Sequence, residues 1–277
     1  VPSASLPPAE RTLEFSTNTI GKICVVVWLP ERSADQKLPL LIALHGRGET
    51  LKGPARGARG WLDDYALARA ASRLRRPPLT QQDFQGFVEA DRLVAFNTAL
   101  GREPFAGVAV ACPYLPDILS SEEPFTGAEP YAAFLVERLL PQLRAEFPLI
   151  ATPAATGIDG VSLGGRAAVA VGLLRPDAFG AIGGLQSALD PRNSADLTRR
   201  ARDAFQRNPR LQLRLLTSTE DYYLAAHKTI HRALRDGGVP HGFRVVPGPH
   251  DYVFNRGPGA IEMLVYHDRV LRGREPI

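Results

Sequence analysis

The pentapeptide Gly160-Val161-Ser162-Leu163-Gly164 constrains this 277-residue chain more than any other segment. A serine flanked in this way by glycines is the pattern of a strained turn leading from a strand into a helix. A side chain at either glycine would strike neighbouring backbone there, and the turn pushes the serine hydroxyl out beyond the sheet. The pattern therefore predicts a sheet whose strands alternate with helices, with Ser162 exposed at its edge.

The rest of the chain reads as that alternation. Residues 12–18 and 22–29 form two antiparallel strands joined near Thr19-Ile20-Gly21. Leu38–Leu44 is short and apolar, as a strand buried on both faces should be, and ends in the glycine-rich turn His45-Gly46-Arg47-Gly48. Gly107–Pro113 is a second such strand. The spacing of Tyr131, Phe134, Leu135, Leu139 and Leu143 predicts a helix over 129–146. A short strand then enters the serine turn, and a helix over Arg166–Leu174 is closed by Arg175-Pro176. Further strands are expected at 178–188, Leu211–Thr217 and Phe243–Val246. Helices are expected at 194–207, at 222–236 with Gly237-Gly238 closing it, and at about 258–272. This order implies a mostly parallel central sheet with helices on both faces, and the whole of 1–277 reads as one domain.

The connection 49–106, after the third strand, is far longer than one crossover helix needs. It reads as a helical insertion. A loop at Gly53–Gly60 precedes a helix at Leu62–Leu74; Thr80-x-x-Asp83 is cap-like, and a third helix runs over Asp91–Leu100. The insertion leaves the chain at the sheet edge that carries Ser162, so it is expected to form part of the substrate entrance as a cap, with a structural annex on the outer edge as the alternative. Leu67, Leu74, Phe84, Phe87, Leu93, Phe96 and Leu100 need a surface to cover.

Composition narrows the function classes. A hydrophobic fraction of 44% with 22% charged residues suits a globular chain with a sizeable core. No run of about 18 apolar residues predicts a membrane span. The net charge is +4, but only Lys22, Lys37, Lys52 and Lys228 are lysines, and the arginines are scattered. Groups such as Arg73, Arg75 and Arg76, or Arg199, Arg200 and Arg202, lack interleaved aromatics and read as solvated helix faces, so no nucleic-acid partner is expected. The Pro/Ser-rich start suits the stub left by a cleaved export signal or a trimmed leader, with a secreted or periplasmic location favoured over a cytoplasmic one. Cys24 and Cys112 each lie in an apolar run and read as buried, reduced thiols.

Acyl transfer by serine requires a base, an acid to orient it, and donors for the oxyanion. Ser162 is followed by Asp221, four residues past the Leu211–Thr217 strand, and then by His250 in Gly248-Pro249-His250-Asp251 after the last strand. Ser, acid, His is the chain order of α/β-hydrolases. Asp221 is favoured over the adjacent Glu220 because it can turn back toward the histidine. Asp251 abuts His250 too closely to serve as the acid, and Asp159 reads as a support for the serine turn. The backbone N–H groups of Leu163 and Arg47 are the expected oxyanion hole. His227 and His231 have metal-ligand spacing but no accompanying motif, and they read as a surface helix; His241 and His267 read as surface residues. No metal site and no cofactor is expected.

These residues resemble the putative-esterase branch of the α/β-hydrolase superfamily, which includes feruloyl esterases, acetylxylan esterases and S-formylglutathione hydrolases. The matching pieces are Leu44-His45-Gly46-Arg47-Gly48, Gly160-Val161-Ser162-Leu163-Gly164-Gly165, Thr219-Glu220-Asp221 and Pro247-Gly248-Pro249-His250-Asp251. Glu49 stands where that branch often has a second glycine, and Pro249 where it often has Gly before the histidine. The resemblance implies a serine esterase acting on a small-molecule or polymer-linked ester through an acyl-enzyme. A peptidase or acyltransferase with the same triad, and a hydrolase-like binding module without turnover, are the alternatives. The aromatics Trp61, Tyr222, Tyr223 and Tyr252 suit either a flat aromatic acyl group or packing.

Overall fold

The computed structural model describes residues 5–117 and 124–277; the first four residues of the Pro/Ser-rich start lie outside them. The strands are β1 (Ser5–Leu6), β2 (Ala9–Thr17), β3 (Gly21–Leu29), β4 (Arg32–Ser33), β5 (Leu40–Leu44), β6 (Ala109–Pro113), β7 (Thr156–Gly160), β8 (Ala181–Leu185), β9 (Gln212–Glu220) and β10 (Gly242–Pro249). Among the described residues, eight strands form one sheet in the order β10-β9-β8-β7-β5-β6-β3-β2, while β1 pairs with β4 apart from it. Pairing from β10 to β6 is parallel; β3 runs antiparallel to both β6 and β2. β5, β6, β7 and β8 are buried along their whole length, which explains their apolar and small-residue sequences, broken only by Thr156 and Asp159 in β7.

Helices cover both faces. One face packs Val25, Ile42 and Ile158 against apolar residues of the 124–146 helical segment and of helices Leu163–Leu174, Ser194–Arg207 and Leu224–Asp236. The other face packs Leu41, Val110 and Leu216 against helices Leu67–Leu74, Ala90–Arg102 and Ala260–Val270. The insertion therefore supplies most of one covering layer. Leu67, Leu74, Phe84, Phe96 and Leu100 are all buried in it, as is Trp61.

Several expected boundaries shift. The loop at Gly53–Gly60 contains helical turns, Gly53–Gly57 and the start of Gly60–Asp63. The helix expected from Leu62 begins at Leu67, because Ala66 adopts a left-handed backbone (φ 54°) that no helix continues through. Thr80 and Asp83 form a full capping box. β9 runs to Glu220, three residues further than expected, so Asp221 follows the strand directly. The helix after Ser162 starts at Leu163 and not at Arg166.

The topology places the site. From β5 the chain moves to β6 on one side; from β7 it moves to β8 on the other. The loops leaving β5 and β7 diverge at their shared C-terminal edge and open a crevice between them.

Candidate active site

Ser162 stands between β7 and helix Leu163–Leu174 with φ 57° and ψ −116°, a strained conformation for a residue with a side chain. A Cβ on Gly160 would come within 2.5 Å of the Gly164 backbone, and one on Gly164 within 2.4 Å of the His45 and Leu44 oxygens. Both glycines are needed for the close approach the turn makes. Asp159 supports it: Oδ1 accepts from Gly160 N–H at 2.7 Å, and Oδ2 meets His267 Nε2 at 3.0 Å.

His250 follows β10. Its Nδ1 lies 2.8 Å from Asp221 Oδ1, and Asp221 also accepts from Thr217 Oγ1 at 2.6 Å and Tyr223 N–H at 2.9 Å. Burial alone would raise the Asp221 pKa. The hydrogen bonds from His250, Thr217 and Tyr223 outweigh it and hold the carboxyl below the usual range. Glu220 is exposed at the end of β9, and Asp251 caps the short helix Tyr252–Phe254 by accepting from Phe254 N–H at 2.9 Å. Tyr222 lies over the His250 ring at 4.2 Å between centroids, and Tyr223 meets it edge-on at 5.7 Å. The Tyr222 side chain stands next to Ser162.

Arg47 opens the short helix Arg47–Thr50, as Leu163 opens its own helix. Each backbone N–H is thus at a first helical position, where the helix offers it no acceptor and the helix field favours an anion. His45 anchors this turn from beneath. Its Nε2 accepts from Leu115 N–H at 2.9 Å, which leaves Nδ1–H to donate to the Gly46 carbonyl at 2.9 Å. Burial pushes the His45 pKa down to about 4, so the ring is neutral near pH 7.

A cavity of about 230 Å³ contains Ser162 and His250 together, with Arg47, Glu49, Tyr65, Tyr222, Tyr252 and Asn255 in its wall. Of the expected aromatics, Tyr222 and Tyr252 line it, Tyr223 sits behind His250, and Trp61 is fully buried in the core.

Two histidine expectations are corrected. His227 is fully buried, bonds the Ser187 carbonyl at 3.0 Å and is held by burial at a pKa of about 4. His267 is fully buried against Asp159. Both stand on helix faces turned to the core. His231 and His241 are half-buried and bond each other at 2.8 Å. Among the described residues, no three metal-ligating side chains converge. Sequence reasoning missed Gln186, whose amide donates to Ser218 Oγ at 2.6 Å and to the Pro249 carbonyl at 2.8 Å, bracing the residue before His250. Its position just past β8, at the same sheet edge as the other loops, was the available signal. Cys24 and Cys112 are buried free thiols on neighbouring strands, with Val26 and not Cys24 opposite Cys112.

A mostly parallel eight-stranded sheet, with this serine turn at its switch point, defines an α/β-hydrolase fold. The putative esterase family matches residues 119–253. Over that segment the chain is similar to the putative esterase family, whose α/β-hydrolase fold it shares. Solved structures share its fold. A ferulic acid esterase aligns at 17% identity over 96% of this chain and 100% of its own, with a TM-score of 0.70. An S-formylglutathione hydrolase from Staphylococcus aureus aligns at 17% identity over 91% and 96%, with a TM-score of 0.64. A ferulic acid esterase from Anaeromyces mucronatus, in complex with ferulic acid, aligns at 15% identity over 90% and 88%, with a TM-score of 0.56. No match was found among curated protein sequences. Among the described residues, no helix is long and apolar enough to cross a membrane.

Proposed function

We propose that this protein is a serine esterase that cleaves a carboxylic ester through an acyl-enzyme at Ser162. The observation that carries the reading is the 2.8 Å contact between His250 Nδ1 and Asp221 Oδ1, beside a cavity that His250 shares with Ser162. Asp221 fixes the tautomer of His250 with the proton on Nδ1, leaving Nε2 as the base. Ser162 Oγ attacks the ester carbonyl carbon as its proton passes to Nε2. The carbonyl oxygen becomes an oxyanion held by the N–H groups of Arg47 and Leu163. Collapse of this intermediate expels the alcohol oxygen, which takes the proton back from His250. Water then repeats the sequence on the acyl-enzyme and releases the acid. None of these steps calls for a cofactor or metal.

Two features bear on substrate. Tyr222 stands beside Ser162 in the cavity wall, where an entering ester must pass it. Tyr222 and Tyr252 in the cavity wall suit a flat aromatic acyl group, in keeping with the ferulic acid held by one structural relative. We read 1–277 as one domain in which 49–106 borders the entrance through Glu49 and Tyr65 while its helices cover the sheet.

A fluorophosphonate probe tests this reading. It should form one stoichiometric adduct, mapped by peptide mass spectrometry to Ser162, and the adduct should abolish hydrolysis of a panel of acetyl, butyryl and feruloyl esters. No hydrolysis of any ester, or an adduct at another residue, would contradict it.

A further inference from the structure

Glu49 is an unusual residue for its place. It stands two positions after Arg47, with only 1% of its surface exposed, yet its carboxylate reaches the wall of the cavity. A buried carboxylate is costly unless several donors satisfy it, and an apolar residue would fill the space more cheaply. Here the donors are all present. Tyr65 donates its hydroxyl proton to Oε2. Tyr252 donates to Oε1 at 2.8 Å, and Lys52 Nζ lies 3.5 Å from the same oxygen. The Tyr65 oxygen in turn accepts the Gly46 N–H at 3.2 Å. Burial, reinforced by the neighbouring carboxylate, keeps both phenols protonated: Tyr252 is pushed up to about 12, and Tyr65 is raised well above its ordinary value. A continuous chain of donors thus runs from Gly46 N–H through Tyr65 to Glu49, where it meets Tyr252.

The backbone is shaped to admit this chain. A Cβ on Gly48 would sit 2.7 Å from the Tyr252 hydroxyl, and one on Gly60 would sit 2.5 Å from Glu49 Cγ. The ends of the chain are informative. Gly46 precedes the proposed oxyanion donor Arg47, and Tyr252 follows His250 by two residues. The Gly46 N–H is drawn away to Tyr65, while the Gly46 carbonyl is held by His45 Nδ1 at 2.9 Å. In a planar trans peptide the carbonyl and the following N–H point in opposite directions, so fixing both sides of Gly46 fixes the aim of Arg47 N–H.

We propose, on the esterase reading above, that Glu49 is a positioning residue: with Tyr65 and Tyr252 it locks the oxyanion turn and ties that turn to the loop carrying His250. Glu49 does not touch the ester. It holds the Arg47 N–H in register with the base, so that donor and base meet one tetrahedral intermediate. Links of this kind strengthen one another when complete and lose most of their value when broken at any point.

The test compares Glu49→Gln, Tyr65→Phe and Tyr252→Phe with the unaltered protein, and runs Ser162→Ala beside them. The measurements are steady-state hydrolysis of a p-nitrophenyl ester, affinity for a trifluoromethyl ketone that mimics the tetrahedral intermediate, and thermal midpoint. Loss of one oxyanion-hole donor costs on the order of 10²–10³ in kcat, so a misaimed donor should cost roughly 10–100-fold, with KM changed by less than about threefold. Ketone affinity should fall in step with kcat/KM. The double variant Glu49→Gln/Tyr252→Phe should be no worse than the more damaged single variant, because both break the same link. If Glu49→Gln does not fold, Tyr252→Phe, whose residue is 40% exposed, carries the same expectation. A raised KM at unchanged kcat would overturn the proposal in favour of direct substrate contact. Rates within about twofold of the unaltered protein, or a lower kcat with unaltered ketone affinity, would also overturn it. Activity retained by Ser162→Ala would sink the esterase reading itself; loss of activity there, with the three other variants normal, sinks only the role of Glu49.

Discussion

The Asp221 carboxylate meets His250 Nδ1 at 2.8 Å although 29 residues separate them in sequence, because β9 and β10 are parallel neighbours that end at the same edge. Asp221→Asn keeps the shape but removes the charge that supports a protonated His250 and frees the ring to adopt the wrong tautomer. Ester turnover should fall on the order of 10⁴-fold. Glu220→Gln, at an exposed position, should stay within a few-fold of the unaltered rate. Steady-state kcat/KM for the two variants decides between them, and a larger loss for Glu220→Gln would move the acid by one residue.

Acid should destabilise the fold at a pH where most carboxylates are still ionised. His45 and His227 are both held by burial near a pKa of about 4, against 6.5 when unfolded. Their folded pKa values are depressed, so below pH 6.5 the unfolded chain binds protons that the folded chain does not. The stability they contribute is complete above pH 6.5 and is lost as pH falls from there toward 4. A shift of this size corresponds to roughly 3 kcal/mol for each ring. The thermal midpoint should therefore drop steadily between pH 6.5 and 4, and His227→Gln should make that slope shallower. An unchanged midpoint across the window would contradict the burial of these rings in neutral form.

The insertion gives a sharper contrast. Trp61 and Phe84 are buried in the layer that covers the sheet and do not line the cavity. Replacing either by alanine should cost about 3–5 kcal/mol of stability by leaving a void. The relative kcat/KM across short, long and aromatic esters should hold. Selectivity that changes with little loss of stability would instead assign these side chains to the substrate entrance.

Much of the site was legible because it is written in short-range patterns. Ser162 lies between glycines that only a tight turn requires, and Asp221 and His250 follow apolar runs recognisable as strands. The distance of Asp221 from its strand was misread, because Ser218, Thr219 and Glu220 continue β9 with polar residues that carry no apolar signal. The Glu49–Tyr65–Tyr252 chain could not be read, since Tyr252 lies 203 residues from Glu49 and only the packed fold joins them. The burial of His227 and His267 was available in principle. His227 shares a helical stripe with Ile230 and Leu234, and His267 shares one with Met263 and Leu264.

Cys24 and Cys112 should both react with iodoacetamide in denatured, unreduced protein. The register puts Val26 opposite Cys112, so the cysteines are diagonal neighbours on β3 and β6. Diagonal positions lie about 7–8 Å apart, beyond the usual 5.5–6 Å of a disulfide. Intact mass should show two adducts; none without prior reduction would establish a bridge.

The central claim, that Ser162 is the nucleophile of an esterase, is tested most directly by the ester turnover of purified Ser162→Ala. The account predicts a loss on the order of 10⁴-fold or more, with the thermal midpoint little changed. Hydrolysis near the unaltered rate, in protein free of contaminating esterase, would contradict it.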